Sequence, residues 1–555
     1  MKKLSLLICI TFVLLVTSSV SAQISPPFTQ CPPVGADTSC AILIVVSDKA
    51  VNVYSDLSQG PFDGIEDTLI GVQNNSSGTL FSLPLSSPQP IFSFDGDGLC
   101  TFIACSWPDP TTYEGPGVSF SGISGDQTSG IVNFPSGLGS GQSTYFSLEL
   151  AIQTVCPILS GQTLPVQLRK QFTGYPGPWG GSTYDNYPSG DTVHTMKSLG
   201  CATTSSAMII NYFGGGTDPG TLNTWLAQNG GYVDHSVSWF AVASYATNVQ
   251  HVPLSYQPGT SANDFVVDNY LCARVPVILR VTSPTGKSHF VVATGGEATS
   301  NGQSTYFLND PGYNCTTLDQ SSCSYGNQYQ SIRKFSSGPA PLSGLEIDAG
   351  SPVELLVTAP NGQKTGFDPT TGNPVLQIPS SDYYTESVGD DSGGSADTPP
   401  LKRIEIGTPA GGQYALQVIG TGSGTFTLWF AGYDNSGKSN IQTVVGVANT
   451  GSTASYNLQY SSTPGVPVTV VQMATFQGTL ADIANSLTLG LIDNAGIANS
   501  LSQKIEAAGN TTGPARNNVL NAFENEVSAQ SGKHITGVAP QVLLQDAASL
   551  ISQNP

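Results

Sequence analysis

The chain has 555 residues, with 18 Lys+Arg against 38 Asp+Glu and a formal net charge of −20. That balance offers no counter-charge to nucleic acid or to an anionic membrane surface, and so argues against both as partners. Only 10% of residues are charged, whereas 62 glycines and 38 prolines mark a β-rich chain with many turns.

The opening stretch, residues 1–22, reads as a signal peptide. Lys2 and Lys3 precede an apolar run from Leu4 to Val16, and Val20-Ser21-Ala22 forms a small-residue cleavage site before Gln23. The apolar run is too short to cross a bilayer comfortably, and no other stretch approaches about 18 apolar residues, so no membrane span is expected. Cys9 lies inside the apolar run rather than after the cleavage site, which gives no support for a lipid anchor. The expected product is secreted. Without Cys9, nine cysteines remain: Cys31, Cys40, Cys100, Cys105, Cys156, Cys201, Cys272, Cys315 and Cys323. In an oxidising compartment most should pair, and an odd number leaves at least one thiol over. Short separations suggest Cys31 with Cys40, Cys100 with Cys105 and Cys315 with Cys323, although spacing does not fix connectivity.

Residues 23–160 read as a β-sandwich of immunoglobulin-like size. The runs AILIVV (Ala41 to Val46), VNVYS (Val51 to Ser55), TLIGVQ (Thr68 to Gln73) and STYFSLEL (Ser143 to Leu150) are β-branched and aromatic, and turn sequences separate them. Two of those turns are acidic. DGIED and DGDG bring Asp63, Asp67, Asp95 and Asp97, whose oxygens suit calcium, although solvated turns are the commoner fate of such groups. No zinc-ligand spacing appears, and no cofactor is expected.

Residues 161–342 change texture. Ala202, Ser206, Ile209, Ile210 and Phe213 share one helical face, which stops at Gly214-Gly215-Gly216. A second helix is expected after the Asp218 cap, ending at Gly230-Gly231. VSWFAVASYATN and SANDFVVDNYLCAR are further helix candidates. Strand candidates follow at Val275 to Val281, Ser288 to Gly295 and Ser304 to Asp310. Helices followed by strands predict an α+β domain with an antiparallel sheet. Residues 343–475 return to alternation: Tyr414, Leu416 and Val418 share a face, as do Phe426, Leu428 and Phe430. They predict a second sandwich, with SSDYYTESVGDDSGGSADTPP as a long acidic surface loop. In residues 476–555, Ile497, Leu501 and Ile505 recur at helical spacing, as do Phe523 and Val527, so a hairpin or three-helix appendage is expected.

Cys201 follows Gly200 at the start of a predicted helix. There the helix dipole and unpaired backbone N–H groups favour thiolate, and the Cys201 N–H can serve an oxyanion hole. A thiol nucleophile needs a base and a group to orient that base. Of the five histidines, His289 opens an apolar strand and Asp310 closes the next one, before Pro311-Gly312. Antiparallel neighbours would bring the carboxylate beside the imidazole. Cys, His and Asp on helix, strand and strand is the chain order of a papain-like active site. His194 and His235 read as surface or substrate-side residues, and Cys272, inside a helix candidate, as bridged or buried. An ordinary bridge for Cys201, a structural role for His289 and a plain turn for Asp310 are the bland alternatives.

The motifs GCATTSSAMIINYFG, LNTWLAQNGGY, VPVILRV, SHFVVATG and FLNDPG, in this order, resemble the papain-like family related to the bacteriocin-processing, double-glycine leader peptidases. The resemblance runs from Pro165 to Phe335. It implies a cysteine peptidase acting on peptide or protein substrates, with Cys201 as nucleophile, His289 as general base and Asp310 as orienting group. Such enzymes also place a glutamine in the oxyanion hole, often a few residues before the cysteine, where this chain has Thr195. The candidate here is Gln171 in RKQFTGYPGPWG, since some members of the wider family separate a Gln…Trp element from the Gly-Cys motif. The leader peptidases are fused to transporters. No transporter segment is present here, so leader specificity does not carry over. The two sandwiches are similar to modules appended to many bacterial exoenzymes and could bind extracellular ligands. Two other functions stay open: a catalytically inactive extracellular binding or adhesion protein on a papain-like scaffold, and a thiol transacylase or amidase acting on cell-wall peptides.

Overall fold

In the computed structural model the described residues are 27–48, 51–56, 58–86, 90–149, 157–172, 178–259, 262, 264–272, 274–298, 304–338 and 340–554. The predicted signal peptide, Cys9 and Cys156 lie outside them, as does the side chain of Cys272. The chain divides into two compact units, 1–156 and 157–555. Among the described residues no helix is long and apolar enough to cross a membrane.

In the first unit, four strands lie in the order Val51–Ser55, Ile42–Val46, Thr68–Asn74, Ser143–Leu148, and Ile42–Val46 runs parallel to Thr68–Asn74. A second sheet holds Leu80–Ser86, Ser129–Leu138 and Ser119–Ser121. Apolar residues of both sheets, among them Ile44, Val72, Leu83, Val132 and Phe146, share one core. The four strands legible in the sequence are here. Those of the second sheet are hidden by Pro, Ser and Gly within SGIVNFPSGL and LFSLPLS, which blur the alternation. Cys31–Cys40 and Cys100–Cys105 are bonded.

The second unit opens with helices. A turn of helix at Met196–Leu199, capped by Thr195, leads through Gly200 into Cys201–Tyr212. Asp218 caps Pro219–Gln228 by accepting from the Thr221 N–H at 2.9 Å. Trp239–Asn248 and Asp264–Cys272 complete the set. The Cys201 helix was expected to bury one face, yet every residue from Cys201 to Ile210 is buried. Its polar side chains turn inward to partners: Thr203 meets the Tyr232 hydroxyl at 2.9 Å, and Ser205 donates to the Phe290 carbonyl at 3.1 Å.

The sheet that receives this helix runs Leu254–Gln257, Ser331–Ser337, Val277–Thr282, Ser288–Ala298, Ser304–Asn309, antiparallel throughout, with Ser160–Thr163 also pairing with Ser288–Ala298. Cys315–Cys323 staples the loop beyond it. Two further antiparallel sheets follow, of five and six strands, between Gly344 and Gln472. Tyr414, Leu416 and Val418 from one sheet and Phe426, Leu428 and Phe430 from the other enter the same apolar core. The tail forms four helices, Phe476–Thr488, Ala495–Gly509, Gly513–Gln530 and Ala539–Ser552, around their own core. This is one more than the largest number expected.

The acidic stretch expected at the surface departs most from its sequence reading. Ser381–Glu386 is a strand, and Glu386, Asp390 and Asp391 are all buried. Glu386 lies 2.5 Å from the Arg333 guanidinium, which also faces the Trp239, Phe290 and Tyr384 rings. Nearby, Arg403 reaches Asp348 at 2.6 Å and Glu346 at 2.9 Å. Arg280 donates to the Thr385 carbonyl at 2.8 Å. The Arg333–Glu386 pair and the Arg280–Thr385 bond fasten the strand to the preceding sheet, and so fix where the chain after Glu386 must run.

Candidate active site

His289 is the second residue of Ser288–Ala298 and sits opposite Val281. Asp310 follows Ser304–Asn309, the antiparallel neighbour. The expected juxtaposition is present: Asp310 Oδ1 lies 2.9 Å from His289 Nε2. The carboxylate is itself held, because Oδ1 accepts from the Gly312 and Tyr313 N–H groups at 2.8 and 2.9 Å, and Oδ2 accepts from the Tyr325 hydroxyl at 2.6 Å. With Nε2 so engaged, Nδ1 is the ring nitrogen left for other partners. The Cys201 sulfur, an imidazole nitrogen and an Asp391 oxygen lie within 4.8 Å of one another.

Gln171 is brought to the same place. Its backbone N–H donates to the Pro311 carbonyl at 3.0 Å, and the Trp179 indole donates to the Lys170 carbonyl at 2.8 Å, so both neighbours of the segment are fixed. The Gln171 amide Nε2 donates to the Lys197 carbonyl at 2.8 Å. Thr195, at the conventional glutamine position, instead caps the Met196–Leu199 turn in a capping box with Ser198.

The residue that sequence reasoning missed is Asp391. Its Oδ2 lies 2.8 Å from His289 Nδ1 and accepts from Gln171 Nε2 at 3.1 Å. The Asp391 N–H donates to the Ser198 carbonyl at 2.9 Å, and the Gly389 N–H donates to the Ser288 carbonyl at 3.0 Å. Residues 389–391 therefore lie along both walls of the site. A Cβ at Gly389 would come within 2.3 Å of the Lys287 Cβ, so only glycine permits this approach. Asp390 shapes the turn by accepting from the Ser392 and Ala396 N–H groups at 2.8 and 3.0 Å. Beyond it, Ser392 to Ser395 are exposed. Nothing periodic marks Asp391, and its position 102 residues after His289 leaves no local signal to find it by.

The electrostatics follow from this burial. Cys201, His289 and Gln171 are completely buried. Burial pushes the Cys201 thiol up to about 11, helped by the Asp391 charge and opposed by His289. The low-pKa thiolate expected from the helix start is thus not the state of this site. Burial would depress the imidazole, but Asp391 and Asp310 on its two sides hold it well above its ordinary value. Asp310 is desolvated, yet the His289 charge and its hydrogen bonds keep it below the ordinary carboxylate value. Cys201 is the free cysteine among the described residues.

The other sequence candidates lie elsewhere. His194 and His235 stack on opposite contacts of Tyr187, each 3.9 Å between ring centroids, and bond Asp191 and Asp185 at 2.8 and 2.7 Å. Asp63 closes its own turn by accepting from the Ile65, Glu66 and Asp67 N–H groups, each at 3.0 Å. Asp67, by contrast, is buried rather than solvated, and groups with Asp97 and Glu149; Asp95 groups with Glu66 and Glu149.

Residues 164–337 match the model of the Peptidase_C39 like family, which supports a papain-like cysteine peptidase segment related to the bacteriocin-processing peptidases. No curated protein and no solved structure matches the chain.

Proposed function

We propose that this chain is a cysteine peptidase whose active site is held closed by its own Asp391. Cys201 is the nucleophile, His289 the base, Asp310 the group that orients it, and Gln171 Nε2 with the Cys201 N–H the oxyanion hole. The single observation that carries this reading is the Asp391 carboxylate, bonded at once to Gln171 Nε2 and His289 Nδ1 beside the Cys201 sulfur. A negative oxygen held by Gln171 Nε2 beside the nucleophilic sulfur is what one oxyanion-hole donor would hold in an acyl-transfer intermediate, and the same oxygen blocks the nitrogen of the base.

With Asp391 withdrawn, the His289 ring and the thiol face each other directly. The Cys201 proton passes to Nδ1, sulfur attacks a peptide carbonyl carbon, and the developing oxyanion takes the place of the Asp391 oxygen. The C–N bond breaks as His289 returns the proton to the leaving amine. Water, deprotonated by His289, then cleaves the thioester and regenerates the thiol. Secretion belongs to the same proposal, supported by the three disulfides among the described residues, since disulfides persist in oxidising compartments. The separate apolar cores of the flanking segments support their reading as sandwich modules and a helical appendage around a catalytic domain.

The test is product analysis by mass spectrometry on a peptide library, using the full chain with residues 389–397 excised. Hydrolysed products that disappear in C201A support the peptidase. Amide exchange onto added amines would identify a transacylase instead. Freely alkylated Cys201 without any product would leave an inactive binding scaffold.

A further inference from the structure

The first unit holds a second cluster of charge, unrelated to the peptidase-like site. Thr68 pairs with Leu148 across antiparallel strands, so Asp67 and Glu149, one residue outside that pair, continue the same register. Like charges so opposed destabilise a sheet edge unless something neutralises them. Oxygens of Asp67, Asp97 and Glu149 lie within 4.8 Å of one another, and those of Glu66, Asp95 and Glu149 do likewise.

The polar accounting does not close with protein atoms alone. Asp67 is 0% exposed, and neither of its carboxylate oxygens has a hydrogen-bond partner. Tyr113, also fully buried, directs its hydroxyl at three carboxylates: Asp97 at 2.8 Å, Asp95 at 3.2 Å, and Glu149. One hydroxyl has one proton, so it can donate to only one of them, and the remaining contacts oppose oxygen to oxygen. Among the described residues none of the five carboxylates pairs with a lysine, arginine or histidine.

We propose that Asp67, Asp97 and Glu149, with Glu66 and Asp95 at the rim, bind a calcium ion that anchors the acidic turns to the sheet edge. All donors are hard oxygens, with no imidazole or thiolate among them, which selects against zinc and copper. Calcium takes such carboxylate oxygens in a flexible shell of six to eight ligands, whereas magnesium demands a near-ideal octahedron and keeps several of its waters, so a cluster of five carboxylates suits calcium better. Unlike the solvated turns expected of DGIED and DGDG, this arrangement desolvates a carboxylate and leaves it unpartnered, which water at a surface turn would not do.

The full chain, stripped with EDTA, is titrated with CaCl2 and in parallel with MgCl2 by calorimetry, and its thermal unfolding is followed with and without each ion. The expected result is one calcium bound per chain, a higher unfolding temperature in calcium, and at least tenfold weaker binding of magnesium. D67N should weaken calcium binding at least 100-fold. In EDTA it should unfold no lower than the parent chain, because it removes a buried carboxyl group whose oxygens have no hydrogen-bond partner. E149Q provides an independent second variant. Calcium uptake that D67N and E149Q leave unchanged, or no uptake at millimolar calcium, would overturn the proposal. So would a D67N chain markedly less stable than the parent in EDTA, since Asp67 would then have a partner within the protein.

Discussion

The sharpest prediction concerns removal of the segment that covers Cys201. The Thr398 N–H donates to the Val388 carbonyl at 2.9 Å, and the Val388 N–H to the Thr398 hydroxyl at 2.6 Å, so the two ends of the loop already meet. Residues 389–397 can therefore be excised and replaced by a two-residue turn with little disturbance of either strand. The ion pair lost at the loop's edge, Lys287–Asp397, has side chains 38% and 37% exposed, so it contributes little. With the thiol at about 11, the thiolate fraction at pH 7.5 is roughly 3 in 10,000. Return to the free-thiol value of about 8.5 raises that fraction to roughly one in ten, a gain of about 300-fold before any help from the imidazolium. Alkylation of Cys201 by iodoacetamide, followed by peptide mass spectrometry, should accelerate by at least that factor. D391A should give part of the gain. D391N, which removes the charge but keeps the bulk, should give less. A folded excision variant whose Cys201 reacts no faster than in the parent chain would refute the reasoning.

In the excision background, Q171A should lower kcat by roughly 10²- to 10³-fold while leaving the alkylation rate of Cys201 nearly unchanged, because an oxyanion donor acts on the transition state and not on the thiol. A Cβ at Gly312 would lie 2.8 Å from His289 Cε1, so G312A should displace the ring and slow both alkylation and turnover, with circular dichroism checking that the fold persists. The closed site should also depend on pH in a definite direction. His289 is raised above its unfolded value of about 6.5, so its contribution is complete below that pH and is lost as pH rises through the higher folded value. Asp310 is lowered, so its contribution holds above about 3.9 and fades as pH falls through its lower folded value. Thermal unfolding across pH should show an alkaline decline that H289Q flattens. Finally, R333M should destabilise the second unit by about 3–5 kcal/mol, because it strands the buried Glu386, and adding E386L should recover much of that loss.

What the sequence could and could not disclose divides along physical lines. The Cys201 helix, the His289 strand and the turn at Asp310 were legible because each is a local pattern: a helix with a glycine stop, an apolar strand, and an Asp-Pro-Gly end. Their meeting followed from the antiparallel pairing of neighbouring strands. Gln171 was only nameable as a candidate, since its approach depends on a bond from its N–H to the Pro311 carbonyl that no spacing encodes. Glu149 stood at the end of a legible strand, but its opposition to Asp67 needed the register Thr68 to Leu148. Asp391 was read as solvent-exposed because glycine, serine and acid residues usually are. It is 5% exposed here because Glu386, a few residues earlier, is pinned by Arg333 to a different sheet.

That placement also explains how a peptidase could carry such a segment without cutting it. The backbone of residues 389–391 pairs with the site walls through Gly389 to Ser288 and Asp391 to Ser198, as an extended substrate would. Yet the group delivered to His289 and Gln171 is the side-chain carboxylate, not a peptide carbonyl. A carboxylate has no amine to expel, and its negative charge repels thiolate, so the donors that would stabilise an oxyanion instead hold one that cannot react. The same contact withholds Nδ1 from the thiol, and burial together with the Asp391 charge keeps the thiol protonated. In the proposed peptidase, latency and protection from self-cleavage would thus share one side chain. Opening requires only that the exposed Ser392 to Ser395 tip be cut or pulled, because the strand before it is anchored elsewhere. Limited proteolysis confined to that tip should therefore speed alkylation of Cys201. Cleavage there with Cys201 still inert would show that Asp391 is not what keeps the thiol silent.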